Sequence, residues 1–317
     1  MLLAKKYLTV RAQFFFDEES TLGLELRHHV DRSKRKILHT PPHTTACCSS
    51  LHYITTPFQY HTVPSIMPTD FFPDISKVEF KGPSSTDPFA FRHYDPEEVI
   101  LGKPMKEWLR FSVCWWHTMV GGGGRDPFGM ETLQRPWEDN ISDPIELAKR
   151  RVDAAFEFFT KLGVEFYTFH DFDVAPEAES LEESLQNVDI MTDYLLQKQK
   201  ETGVKLLWAT QNLFSHPRYM NGAMTNPDVQ VFCYAAAQIQ KVADIVHKLE
   251  GKNHVFWGGR EGYQSLLNTD VKKECDHMAS MLKMAVDYKN RKGYTAQFLL
   301  EPKPREPCKH QVSLMIA

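Results

Sequence analysis

The sequence predicts an α/β fold, a TIM (β/α)8-type barrel that is incomplete, with about five βα units present. Two observations carry that prediction. From about residue 108 onward, five short apolar runs recur at intervals of some 40 to 55 residues, each nearly continuous in its hydrophobicity, as parallel strands covered on both faces are. Polar and aromatic residues then gather just past the end of every run: Trp116 and His117, His170 with Asp171 and Asp173, Gln211 and Asn212, Trp257 and Arg260, Glu301 and Lys303. In a closed barrel such strand ends converge on one mouth, where these folds keep their sites, whereas an open doubly wound sheet concentrates its site at one switch point.

The runs are Leu109 to Trp116, Val164 to His170, Val204 to Thr210, His254 to Gly258 and Ala296 to Glu301. Helical patterns fill the gaps. Ser142 or Asp143 can cap the first helix, Pro144 suits its first turn, and Leu147, Ala148, Val152, Ala155, Phe156, Phe159 and Leu162 form an apolar stripe that Gly163 ends. Asn226 with Pro227 opens another helix that closes at Gly251, and Thr269 opens a third that closes at Gly293.

The domain reading follows from where this pattern starts and stops. Residues 1–66 hold six of the fourteen histidines and eight basic against five acidic groups with no sustained period, so they are expected to be a poorly ordered appendage, with Pro41 to Pro64 as a linker. Cys47 and Cys48 lie near His43 and His52 but lack ligand spacing. Met67 can serve as a start; residues 67–107 read as an N-terminal extension packing on the barrel, 108–311 as the partial barrel, and 312–317 as a divergent tail.

Composition narrows the partners. With 37 basic and 41 acidic residues the net charge is −4, so the chain as a whole offers no basic surface for nucleic acid or anionic lipid, and a small neutral partner is expected. Six scattered cysteines without a paired framework favour a reducing compartment. No apolar run reaches the roughly 20 residues of a membrane span. Lys5 and Lys6 are followed by Asp17, Glu18 and Glu19, a poor signal peptide, so a cytoplasmic location is expected.

Three segments carry chemistry. In FYTFHDFDVAP, His170 and Asp173 stand three apart, so the carboxylate can hold one ring nitrogen and leave the other to take a proton from a sugar hydroxyl; a satisfied structural histidine fits the same spacing. In FLLEPKPREPCKHQ, Glu301 can offer oxygen to a hard divalent cation and Lys303 can polarise a carbonyl, while the bland alternative is an ion pair in a proline-rich loop. In VFWGGREGYQSLLNTD, Trp257 before a glycine pair suits an apolar wall beside a sugar ring, although a tryptophan there also suits a core. The run Gly121 to Gly124 lacks the GxxxxGK[ST] arrangement and reads as a mobile loop rather than a phosphate cradle. Asn140-Ile141-Ser142 matches a glycosylation acceptor, a signal of little weight without a secretion signal.

Taken together, FFPDISKVEFKGPSS, RFSVCWWHT, FHDFDVAPE, NLFSHPRYMNGAMTNPD, VFWGGREGYQSLLNTD, MAVDY and FLLEPKPREPCKHQ resemble xylose isomerase of the longer class, the form with an extended N-terminal region. The resemblance implies that His170 and Asp173 are the catalytic pair for ring opening, that Trp116 and Trp257 wall the sugar pocket, that Glu301 is a metal ligand, and that Lys303 hydrogen-bonds the substrate's carbonyl end. It implies conversion of D-xylose to D-xylulose, and often of D-glucose to D-fructose, by a metal-assisted hydride shift between C2 and C1, with two Mg2+, Mn2+ or Co2+ ions in a homotetramer. The chain departs from the pattern at Phe172, where the family has arginine, and at Ala178, where it has glycine. After Gln311 the later glutamate, histidine and aspartates of both metal sites are absent. One carboxylate cannot satisfy a cation that takes roughly six oxygens, so the sequence predicts a chain that is truncated and catalytically crippled as it stands, with open strand edges. The alternatives are a non-catalytic sugar-binding or subunit-pairing role, and an epimerase holding one metal on His170, Asp173 and Glu301.

Overall fold

The computed structural model describes residues 70–120, 135–301, 305–306 and 309–310. The appendage with Cys47 and Cys48, the run Gly121 to Gly124, Lys303 and the tail 312–317 lie outside the described residues. Five parallel strands make one sheet in strict chain order: β1 (Ser112–Cys114), β2 (Phe166–His170), β3 (Lys205–Thr210), β4 (Asn253–Trp257) and β5 (Gln297–Glu301). Between them run α1 (Pro144–Leu162), α2 (Leu181–Thr202), α3 (Val229–Lys248) and α4 (Val271–Lys292). The order never reverses, so the sheet has no switch point, and each helix packs on the next one in sequence, which places all four on the same face. That is the arc of a (β/α) barrel. Among the described residues, β1 and β5 each have a single strand neighbour in this sheet.

Local chemistry fixes the helix ends: the structure chooses between the two cap candidates of α1 and corrects the starts of α3 and α4. The Asp143 carboxylate, not Ser142, caps α1 by accepting from the Glu146 amide at 2.8 Å. Helix α3 begins at Val229 because Asp228 accepts from the Gln230 amide at 2.7 Å. Asn226 is used differently: its side chain donates to the Gly222 carbonyl at 2.6 Å and accepts from the Asp228 amide at 2.9 Å, which closes the loop before the helix. Asp270 rather than Thr269 caps α4. Gly163 takes φ 76°, and a Cβ there would also lie 2.9 Å from the Val78 carbonyl oxygen, so both conformation and space require glycine.

The first apolar run is shortened. Only Ser112–Cys114 pair as strand, Leu109 and Phe111 are exposed, and the chain turns helical at Trp115. With one neighbouring strand, β1 can bury little more than Val113, while Trp115 and Met119 just beyond it drop fully into the core. Residues from Asp70 onward pack on α1: the amides of Phe71 and Phe72 donate to the Glu157 carboxylate at 2.7 and 2.9 Å, and the Val78 amide donates to the Lys161 carbonyl at 2.7 Å. No helix among the described residues is long and apolar enough to cross a membrane, and Cys114, Cys233 and Cys275 are free thiols.

Candidate active site

The site grows out of the alternation of β2. Tyr167 and Phe169 face the helices, where Tyr167 stacks on Phe159 of α1, so Thr168 and His170 face the inner side of the arc. Past His170 the chain enters one helical turn, Asp171–Val174, which brings residue i+3 back over residue i. The Asp173 carboxylate therefore accepts from the His170 amide at 2.9 Å and stands 2.7 Å from His170 Nδ1. A carboxylate only accepts, so Nδ1 carries the hydrogen and Nε2 of the neutral ring is left as the base. His170 is 7% exposed. Burial pulls its imidazolium down, yet the carboxylates of Asp173, Asp171 and Glu301 together outweigh that effect and hold its pKa above the ordinary 6.5.

An aromatic wall adjoins this base. The Trp116 ring lies 4.6 Å from the His170 ring and 5.6 Å from Trp208; on the other side Phe214 meets His170 at 5.2 Å and Trp257 at 4.6 Å, both edge to face. Trp116, His170 and Trp257 were expected from their places at strand ends. Trp208 and Phe214 were missed, although Phe214 stands in NLFSHP only three residues past the strand-end Gln211, the signal that could have found it.

Buried polar groups brace the base from behind. Asp171 accepts from the Asn212 amide at 2.7 Å, the Phe172 amide at 2.9 Å and Gln238 Nε2 at 3.0 Å, tying the loop after β2 to the loop after β3 and to α3. Burial raises its carboxyl to about 6, and those three donors oppose the rise. Phe172 is core, packed with Phe169 and Val174, so the position where the family has arginine points away from solvent here. His254 Nε2 lies 2.7 Å from Gln211 Oε1 on the helix side of the sheet, and full burial pushes its pKa down to about 3, which keeps it neutral.

Glu301 ends β5 opposite Trp257 in register and is exposed. Its charge reaches His170. Among the described residues no three His, Cys, Asp or Glu side chains converge to hold a metal ion. The residues described therefore do not fit a divalent cation, with Glu301 standing as a lone carboxylate on β5.

No protein-family model matches the chain. Curated proteins do: the chain is 53% identical over 251 residues to the xylose isomerase of Allorhizobium ampelinum (79% of this chain, 57% of that protein). It is 54% identical over 242 residues to that of Tetragenococcus halophilus (76% and 55%), and 53% identical over 248 residues to that of Thermotoga neapolitana (78% and 55%). The chain thus spans little more than half the length of these relatives. Among solved structures, a 3-keto-D-glucoside 4-epimerase from E. coli superposes with a TM-score of 0.35 at 14% identity, over 52% of this chain and 53% of that one.

Proposed function

We propose, for a chain homologous to the xylose isomerases over 76–79% of its length, that it carries the sugar-binding and ring-opening residues of an aldose–ketose isomerase acting on D-xylose. The observation that supports this reading is the His170–Asp173 pair, 2.7 Å apart at the floor of the aromatic wall. In the proposed step, His170 Nε2 takes the proton from the anomeric hydroxyl, the C1–O5 bond breaks as the C1 carbonyl forms, and the proton passes to O5 to give the open-chain aldehyde. Asp173 keeps the hydrogen on Nδ1 and stabilises the imidazolium while it exists. Trp116, Trp257 and Phe214 cover the apolar face of the sugar and exclude water. Lys303 is proposed to hydrogen-bond the carbonyl end and Glu301 to contribute a metal ligand; since the described residues do not assemble a cation site, no step is derived through one.

The same absence among the described residues favours a second reading, in which this chain binds and opens the sugar without completing isomerisation. One experiment separates the two. Mutarotation of α-D-xylose, followed by polarimetry, reports ring opening alone, and ketose formation with added Mn2+ reports the full reaction. We expect the chain to accelerate mutarotation and His170→Gln to lose about 10²–10⁴-fold of that acceleration. Ketose formation lost in the same variant supports the isomerase reading. Its absence beside intact mutarotation supports the second. A folded chain that does neither overturns both.

A further inference from the structure

The segment Gly258 to Glu261 follows Trp257 directly, and each of its residues is fitted to a partner. A Cβ on Gly259 would lie 2.7 Å from Trp257 Cη2, 2.9 Å from Cζ3 and 3.0 Å from Phe214 Cβ, so the bare backbone runs against the tryptophan ring and the root of Phe214 together. Neither glycine shows a positive φ, which leaves space, not conformation, as the requirement. Arg260 Nε donates to the Phe214 carbonyl oxygen at 2.9 Å. The Glu261 side chain folds back so tightly that a Cβ on Gly258 would lie 2.5 Å from its Cγ. Glu261 is 2% exposed, and its carboxylate accepts from the Ala223 amide at 3.1 and 3.2 Å, from the Met224 amide at 2.9 Å, and from the Thr225 hydroxyl.

Four consecutive residues of the loop after β4 thus grip the loop after β3 at two points, its aromatic near end at Phe214 and its far end at residues 223–225. Between those grips, Phe214 stands edge-on to Trp257 at 4.6 Å. The free energy of a buried carboxylate with several satisfied partners makes the far grip stiff.

We infer that the Gly258–Glu261 turn is a positioning device that sets aldose affinity by holding Phe214 and Trp257 as one rigid wall. This rests on the reading of the wall as a sugar pocket. Gly259→Ala must push the two rings apart, and a pocket wall displaced by about 1 Å loses its fit to the ground state without altering the base. Arg260→Met removes the hold on the Phe214 carbonyl and guards against a Gly259 variant that fails to fold.

The test labels the chain with 5-fluorotryptophan and assigns the Trp257 signal by its loss in Trp257→Phe. D-xylose affinity is measured by calorimetry alongside mutarotation kinetics. In both Gly259→Ala and Arg260→Met we expect the Trp257 fluorine signal to move, the Kd and KM to rise about tenfold, and kcat to stay within about twofold. A kcat that falls while KM holds, or an unmoved Trp257 signal, overturns the inference. A wild-type chain that binds xylose without turnover, with binding weakened in both variants, keeps the inference and removes the isomerase reading. A wild-type chain that binds no aldose removes the inference.

Discussion

The two strands that end in the proposed acid–base and metal residues are built very differently. All five residues of β2 are buried, with β1 on one side, β3 on the other and α1 and α2 behind. In β5, Phe298 and Leu299 are only half-buried, Leu300 is 44% exposed, and Glu301 stands in solvent. The His170 end is organised by local geometry and a double-sided sheet; the Glu301 end has a carboxylate at the right register and little that holds it. Preorganisation of a proton-transfer group and of a ligand group are separable in this fold, because each strand brings its own end to the mouth and is stiffened by its own neighbours.

The largest expected effect tests that contrast in stability. Phe169→Ala removes a fully buried ring from β2 and is expected to cost about 3–5 kcal/mol by urea unfolding, because the packed layer between β2 and α1 cannot collapse around the void. Leu300→Ala on β5 is expected to cost less than about 1 kcal/mol. Equal losses would mean that β5 is covered in solution, and the comparison would fail.

Next comes the polar bracing. Asp171→Ala leaves the Asn212 amide, the Phe172 amide and Gln238 Nε2 without their acceptor and is expected to cost about 3 kcal/mol. Asp171→Asn sharpens the point through pH. A carboxyl raised from 3.8 to about 6 binds its proton more tightly in the folded state, so its contribution to stability is full below about pH 4 and is lost as pH rises through 6. Thermal midpoints of the parent chain should therefore fall between pH 4 and 6 relative to those of Asp171→Asn, by roughly 4–8 °C. A parallel pair of curves would show that Asp171 titrates normally.

What the sequence could say about this site depended on distance along the chain. The His170–Asp173 pair was legible because a spacing of three plus one helical turn guarantees contact. The strand ends were legible because an apolar run has a readable end. Asp171 was noticed only as a polar residue at a strand end: its partners Asn212 and Gln238 lie 41 and 67 residues away, and no local period announces them. The grip of Glu261 on residues 223–225 was hidden for the same reason, across 36 to 38 residues. Helix starts slipped by one to three residues where several capping side chains stood in a row, as with Asn226, Pro227 and Asp228, because tertiary hydrogen bonds decide which of them caps. The length of β1 was misjudged because an apolar run does not say how many strands will flank it.

The smallest effect crosses between the two regions. β5 reaches the base electrostatically: Glu301 is the last and weakest of the influences that raise the His170 pKa, behind Asp173 and Asp171. Because neutral Nε2 is the base, ring opening should be full above that raised pKa and lost as pH falls through it. The stability contribution runs the other way, being full below 6.5 and lost as pH rises through the folded-state value. Following the His170 ring protons by NMR against pH, Glu301→Gln should move the midpoint to lower pH, and by less than Asp173→Asn does. The acid limb of mutarotation should move in the same direction. A midpoint that does not respond to Glu301→Gln would place that carboxylate away from the mouth that His170 faces, and the two strand ends would then not serve one site.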